Sequence, residues 1–357
     1  MFKNKLILLT LVTIAVIIAA SVFVKLRAPQ SEKEKAAFFP GLASEIEAIN
    51  HISIQGYAGD VNLSRINDIW VIDDFDGYPA LPEKVKSTVL GVADLKLNSP
   101  KTKLPRLYNR LGVEGPEVED STSLLLSLKD AENKNLAEMI VGKLRLSSAS
   151  QSTPGLYIRK PNDEQSYLVD GVVDITSSRT DWIERSLFDI PAEAIKAVRV
   201  EHADGDTYTL FKNEKGQEKF SLENLPAGKK LASELIISRY GSILQDIQIN
   251  GARSKEKLQK QEKSINVLIH TFEGTVIELV AFEHDDTPYG SFEFRFDENL
   301  LAGDEDQEKI DGVKAFVSNM NAQTLNWWYE IPPFKYDVIK KRSASIMRND
   351  KTAEKSE

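Results

Sequence analysis

Hydrophobic residues along this chain recur mostly at alternate positions, the two-residue period of strands buried on one face. Ile49, Ile52 and Ile54 lead into Gly59-Asp60, after which Val61 and Leu63 alternate, and then Trp70 and Ile72. Asp73–Pro79 (DDFDGYP) is a turn by composition. Pro82 suits a first helical position, Glu83 favours the helix dipole, and Val85, Val89 and Val92 keep helical spacing, so one amphipathic helix is expected there. Leu104–Asp120 reads as a loop with one helical turn, and strand-like runs resume at Ser123–Leu128, Leu136–Val141, Leu156–Ile158 and Tyr167–Val169. A similar succession then begins again. Ile195, Val198 and Val200 precede an alternation over Thr207–Phe211, Phe220-Ser221-Leu222 stands where Trp70-Val71-Ile72 stood, and Leu231, Leu235 and Ile236 start a second helix. Ile265–Ile269, Val276–Val280 and Phe292–Phe296 are the later strands.

Short landmarks pair in the same order across the two stretches. Gly59-Asp60 matches Gly205-Asp206, Pro79-Ala80 matches Pro226-Ala227, and Asp94–Asn98 (DLKLN) matches Asp246–Asn250 (DIQIN). Ala137–Val141 resembles Ile277–Ala281, and Thr153-Pro154 matches Thr287-Pro288. Trp182 followed by Ile190-Pro191 is echoed by Trp327 followed by Ile331-Pro332, which marks a seam. Two copies are too few for a solenoid. The expected fold class is therefore α+β: two similar tandem domains behind an N-terminal transmembrane helix, each a mainly antiparallel sheet with one principal helix. The divisions are an anchor at 1–27, a tether at 28–42, a first domain at 43–181, a second at 182–334, and a polar tail at 335–357 expected to be disordered.

The anchor rests on Leu6–Val24, an uncharged run of 19 residues, long enough to span a bilayer as a helix. A cleaved signal peptide, with Ile18-x-Ala20 before Ser21, is the rival, but Val22, Phe23 and Val24 prolong the apolar run beyond that point. Basic residues flank both ends (Lys3 and Lys5, Lys25 and Arg27), so charge says little about orientation. A short N-terminus left in the cytoplasm places the body outside the inner membrane, in the periplasm of a bacterium. Beyond residue 27 the chain carries −13 of charge, the whole being −9, which disfavours nucleic acid and anionic surfaces. There is no cysteine, hence no disulfide, thiol nucleophile, zinc–thiolate site or lipidated cysteine.

No constellation points to catalysis, a cofactor or a metal. An EF-hand-like reading of Asp73, Asp74, Asp76, Gly77 and Glu83 puts non-ligating Ile72 at its first position and prolines at Pro79 and Pro82. Glu283-His284-Asp285-Asp286 cannot close a metal site alone, and His270 is the conceivable chelating partner. The imidazoles of His51, His202, His270 and His284 are scattered, and no nucleophile elbow, P-loop or dinucleotide fingerprint occurs. Trp327-Trp328-Tyr329 reads as packing that closes a domain, like Trp182. Trp328 and Tyr329 are the candidate interaction surface, since aromatics dominate binding hot spots.

Several motifs together resemble a bacterial family, the one catalogued as domain of unknown function 4340. They are Trp70–Ile72, Tyr78-Pro79-Ala80 before a helix, Tyr108-x-x-Leu111-Gly112 followed by Pro116, Met139-Ile140-Val141-Gly142 and Tyr157-Ile158. The most characteristic is Trp182-Ile183-x-Arg185-x-Leu187-x-Asp189-Ile190-Pro191, and the likeness runs over about Ala43–Pro333. The resemblance carries over no catalytic residue. It implies a single-pass envelope protein, some relatives being associated with gliding-type ABC transporter components. The expectation is a non-enzymatic interaction or accessory subunit with a protein partner in the envelope. A glycan- or peptide-binding module using the interdomain cleft is the alternative, and a metal-dependent envelope hydrolase a third.

Overall fold

The computed structural model describes residues 35–146, 153–301 and 306–350. The expected transmembrane run Leu6–Val24 lies outside these residues. Among the described residues no helix is long and apolar enough to cross a membrane.

The fold is mixed α+β, with mainly antiparallel sheets and few helices. Nine strands form the first sheet: β1 (His51–Gly56), β2 (Gly59–Ile66), β3 (Ile69–Ile72), β4 (Tyr78–Pro79), β5 (Lys96–Pro100), β6 (Leu124–Lys129), β7 (Asn135–Arg145), β8 (Gly155–Arg159) and β9 (Ser166–Asp170). Their order is β4-β3-β2-β1-β6-β7-β8-β9-β5. After the short β10 (Ser186–Phe188), the second sheet takes β11 (Ile195–His202), β12 (Thr207–Phe211) and β13 (Ser221–Leu222). Two short strands, β14 (Lys229–Leu231) and β15 (Ile247–Gln248), lie outside it, β15 pairing with β10. It is completed by β16 (Ala252–Ser254), β17 (Ile265–Thr271), β18 (Thr275–His284), β19 (Thr287–Phe296) and β20 (Trp327–Glu330). Its order is β13-β12-β11-β17-β18-β19-β20-β16. Apart from β4, which has no counterpart, this retraces the order of the first sheet, with β11 in the place of β1, β17 in that of β6, β20 in that of β9 and β16 in that of β5.

Turn chemistry explains the hairpins. Asn67-Asp68 and Asp285-Asp286 both adopt left-handed conformations at two successive positions, which asparagine and aspartate tolerate and which match the twist of paired strands. In the first sheet Ile52, Ile54, Val61, Leu63, Leu126, Met139 and Ile158 turn inward, where helix α1 (Pro82–Ala93) covers them with Val85, Val89 and Val92. The other face is partly covered by α2 (Tyr108–Leu111), where Tyr108 and Val113 pack on Ile140. In the second sheet Val198, Val200, Val267, Ile269, Ile277, Leu279, Phe292 and Phe294 line the interior, with Tyr240 of α3 (Glu234–Gly241). The two interiors join into one continuous core.

Three expectations need correction. The second stretch has more than one principal helix: α4 (Gln307–Thr324) lies between β19 and β20 and is the longest helix described. It covers the part of β19 beyond β20, which pairs only with Tyr289 and Gly290. There the Asn321 amide takes the place of a strand, its Oδ1 accepting from the Phe294 N–H (2.8 Å) and its Nδ2 donating to the Phe294 carbonyl (2.7 Å).

The 335–357 segment is not a disordered tail as far as it is described. Helix α5 (Pro333–Ile339) buries Tyr336, Val338 and Ile339, Ile346 is fully buried, and β21 (Met347–Asn349) pairs with β14. Its apolar side chains are few, but each meets a prepared partner. Tyr240 donates to the Val338 carbonyl at 2.9 Å, His202 Nε2 lies 3.0 Å from the Lys341 carbonyl, and Arg342 pairs with Asp204 at 2.6 Å.

The seam echo does not mark equivalent places. Trp327 opens β20, the counterpart of β9, whereas Trp182 lies in a 3-10 turn after β9. The landmarks at Gly59/Gly205, Ala137/Ile277 and Thr153/Thr287 do fall at corresponding places in the two sheets.

Candidate functional site at the junction of the two sheets

The acidic turn after β3 is where the two sheets are fastened. Asp73–Phe75 forms one 3-10 turn, and Asp76 then takes a left-handed conformation that turns its carboxylate away from its neighbours. Asp73 accepts from Ser64 Oγ (2.7 Å) and Asp74 lies 3.4 Å from Arg179. Asp76 reaches the second sheet, where its Oδ2 accepts from Arg253 Nε at 2.7 Å and from the Ser254 N–H at 3.2 Å, with Lys257 Nζ 3.3 Å from Oδ1. Burial pushes the Asp76 carboxyl up, but Arg253, the Ser254 amide and Lys257 together outweigh it and hold the group below its usual value. Three of the carboxylates considered for calcium, Asp73, Asp74 and Asp76, are thus each engaged with protein donors.

Beside this clasp, Tyr78 meets Trp327 edge-on at 5.0 Å and Tyr329 at 6.0 Å. Strand alternation sends Trp327 and Tyr329 to one face and Trp328 to the other. Trp328 packs among Leu258, Phe282 and Tyr289 and donates from Nε1 to the Leu258 carbonyl at 2.8 Å. Tyr329 is fully buried, its hydroxyl donating to the Gln323 carbonyl at 2.9 Å. Trp328 and Tyr329, the candidate interaction surface, are thus both buried, and in this cluster it is Trp327 that is half-buried. The short strand β20 is covered on both faces, so its alternation leaves neither side to solvent.

A cleft of about 340 Å³ opens next to the clasp, lined by Gly59, Phe75, Ser177, Arg179, Asn250 and Glu330, among others. Gly251 has no room for a side chain, since a Cβ there would come within 3.0 Å of Glu330 and Phe75. Burial pushes the Glu330 carboxyl up, against the Tyr289 hydroxyl and the charges of Arg253 and Arg179. The cleft thus offers an acid that keeps its proton more readily than usual, an amide and several hydroxyls. These are groups that exchange hydrogen bonds with polyols or peptide backbone.

Elsewhere the candidates are dispersed. His270 lies opposite Val276 at the start of β18, while His284 lies opposite Thr287 at the other end of that strand, so they share no site. Among the described residues no group of three histidine or carboxylate side chains is placed to hold a metal ion.

Together these features define the class: an α+β protein of two antiparallel sheets with matching strand order, clasped through an acidic turn. Within that class the chain belongs to the family described as "Domain of unknown function (DUF4340)", which matches residues 70–289, more than half of its length. No curated protein and no solved structure matches it.

The motifs that carry the resemblance serve packing. Gly112 ends α2 in a left-handed conformation, and a Cβ at Gly142 would lie 2.4 Å from the Leu111 carbonyl, so the two glycines let these segments touch. Trp182 is fully buried and donates to the Thr176 carbonyl at 3.1 Å, while its own carbonyl accepts from Leu81. Arg185 grips the Ile249 carbonyl (3.2 Å) and Asn250 (3.1 Å), and Asp189 accepts from the Asp246 amide at 2.8 Å. The segment from Trp182 to Pro191 is a staple between the sheets, which sequence reasoning marked as central without seeing its partners.

Proposed function

We propose that this chain is a non-enzymatic, membrane-anchored envelope protein acting as an interaction or accessory subunit, with an ABC-type transport system as its partner. One observation carries the reading: the uncharged run Leu6–Val24, followed within a few residues by a folded body. In this reading the protein is single-pass in the inner membrane and the body, two similar tandem domains from an internal duplication, lies in the periplasm. Matching strand orders and paired landmarks support the duplication, and the clasp and staple supply the rigidity a scaffold needs. Purifying the full-length protein from detergent-solubilised membranes tests it. Membrane subunits of a transporter should co-purify, and recovery of the protein alone would count against the reading.

A second reading, a glycan- or peptide-binding module, is favoured by the polar cleft at Asn250 and Glu330. Thermal shift against glycans and peptides would separate it from the first, with Glu330→Gln abolishing any shift. An envelope hydrolase is the weaker third reading, since among the described residues no group of metal ligands accompanies the raised Glu330 carboxyl.

A further inference from the structure

The described chain begins at one end of the first sheet. Ala37 bridges to Lys96 at the start of β5, and Lys35 Nζ lies 2.6 Å from Asp170 at the end of β9. The same cross-strand row continues through Gly155 at the start of β8 to Arg145 at the end of β7, whose guanidinium also faces Asp170 at 3.6 Å. Around this end four aliphatic side chains stand in solvent. Leu144 (46 % exposed) and Leu146 (73 %) flank Arg145, Val172 (46 %) follows Asp170 closely, and Leu90 (40 %) adjoins Gly91, which is packed against the Val172 carbonyl. Leu144 is held in register opposite Leu156, Leu146 and Val172 follow just past the ends of β7 and β9, and Leu90 is on helix α1.

We infer that this end of the first sheet is the face that rests on the lipid bilayer, with Leu90, Leu144, Leu146 and Val172 in contact with its interface. The inference depends on the anchored reading above. Between Val24 and Lys35 the chain can reach at most roughly 40 Å even when fully extended. This end is therefore the part of the body held nearest the membrane. Four aliphatic side chains would bind a bilayer weakly in free solution. Tethering makes the contact intramolecular, at an effective concentration near the millimolar range, so a weak contact is occupied. Among the other exposed apolar residues, Ile66 and Ile69 flank the β2–β3 turn at the opposite strand end, and Leu235 and Phe334 are in the second half. They have no comparable relation to the tether.

The absence of cysteine makes the test direct. Single variants Leu146→Cys, Leu90→Cys, Ile69→Cys and Leu235→Cys of the full-length chain are labelled with an environment-sensitive fluorophore. They are then placed in phosphatidylethanolamine–phosphatidylglycerol nanodiscs carrying a lipid-bound quencher. Labels at 146 and 90 should be quenched several-fold more strongly than those at 69 and 235, and adding Leu144→Glu should weaken quenching at 90. Equal quenching at all four positions would overturn the inference. Alkaline extraction of the same membranes keeps the two ideas separate. Protein that resists extraction yet shows no position dependence refutes the docking face alone, and protein that washes off refutes the anchored reading with it.

Discussion

Replacing Asp76 by asparagine keeps the shape of the clasp and removes its charge. Asp76 is well buried, at 11 % side-chain exposure, but Arg253 is 35 % exposed and Lys257 61 % exposed, so solvent screens part of the attraction. A hydrogen bond to a charged group contributes roughly 1.5–3 kcal/mol, and an exposed ion pair under about 1 kcal/mol. The Arg253 and Ser254 bonds dominate, so the loss should be about 2 kcal/mol, read from urea denaturation of full-length protein in detergent. A double-mutant cycle with Arg253→Met isolates the pair and should return a coupling of about 1–2 kcal/mol. The pH dependence has a definite sign. The folded-state value is depressed, so the contribution is complete above the unfolded carboxyl value of about 3.9 and fades as pH falls through the lower folded value. Wild type and Asp76→Asn should therefore differ fully at neutral pH and converge in acid. A coupling indistinguishable from zero, or a difference that does not shrink in acid, would refute the idea that this carboxylate fastens the two sheets.

Two glycines should respond in opposite directions. Gly142→Ala drives a Cβ into the Leu111 and Gly112 carbonyls and should destabilise by about 1–3 kcal/mol, whereas Gly312→Ala, in open space within α4, should stabilise by about 0.5–1 kcal/mol; paired denaturation curves decide both. Asn321→Leu leaves the Phe294 N–H and carbonyl without their partner and should cost about 2 kcal/mol, with faster hydrogen exchange at Phe294 as its local signature. Tyr240→Phe removes the donor to the Val338 carbonyl and breaks the contact with the Tyr208 hydroxyl (2.9 Å). It should cost about 1–3 kcal/mol, and protease cleavage beyond Val338 should accelerate if that bond pins the C-terminal segment.

The strands were legible because most are buried on one face, and burial on one face writes itself as alternation: Ile52 and Ile54, Val61 and Leu63, Ile265 to Ile269. Helix α1 was legible through its proline start and three valines. Helix α4 went unread because its buried residues are sparse, Ile310, Met320 and Thr324, although Asp306 accepting from the Glu308 amide is a usable start signal. The C-terminal segment looked like a tail because Tyr336, Val338, Ile339 and Ile346 are diluted by lysine, arginine and serine. Its order comes from partners far back in the chain. The junction was hidden for the same reason, since Asp76 and Arg253 are 177 residues apart and neither carries a local mark of the other. The Trp and Ile-Pro echo misled because composition recurred without position. The aromatic cluster reads as packing in the sequence, but which of its members is most exposed does not, because β20 is flanked on both faces and Trp328 and Tyr329 are both buried.

The pairing of β14 with β21 bears on how the molecule is made. All strands of the first sheet have been synthesised by Asp170, but Lys229–Leu231 acquires its neighbour only when Met347–Asn349 arrives, Asn349 standing 120 residues after Lys229. A ribosome or translocation channel still holding the last stretch therefore holds the second half incomplete, with Tyr240 waiting for the Val338 carbonyl. Ribosome stalling or premature termination shortly before residue 347 would leave both large sheets with all their strands but the β14–β21 pair unmade. The order of emergence thus makes Met347–Asn349 a late latch on the second half.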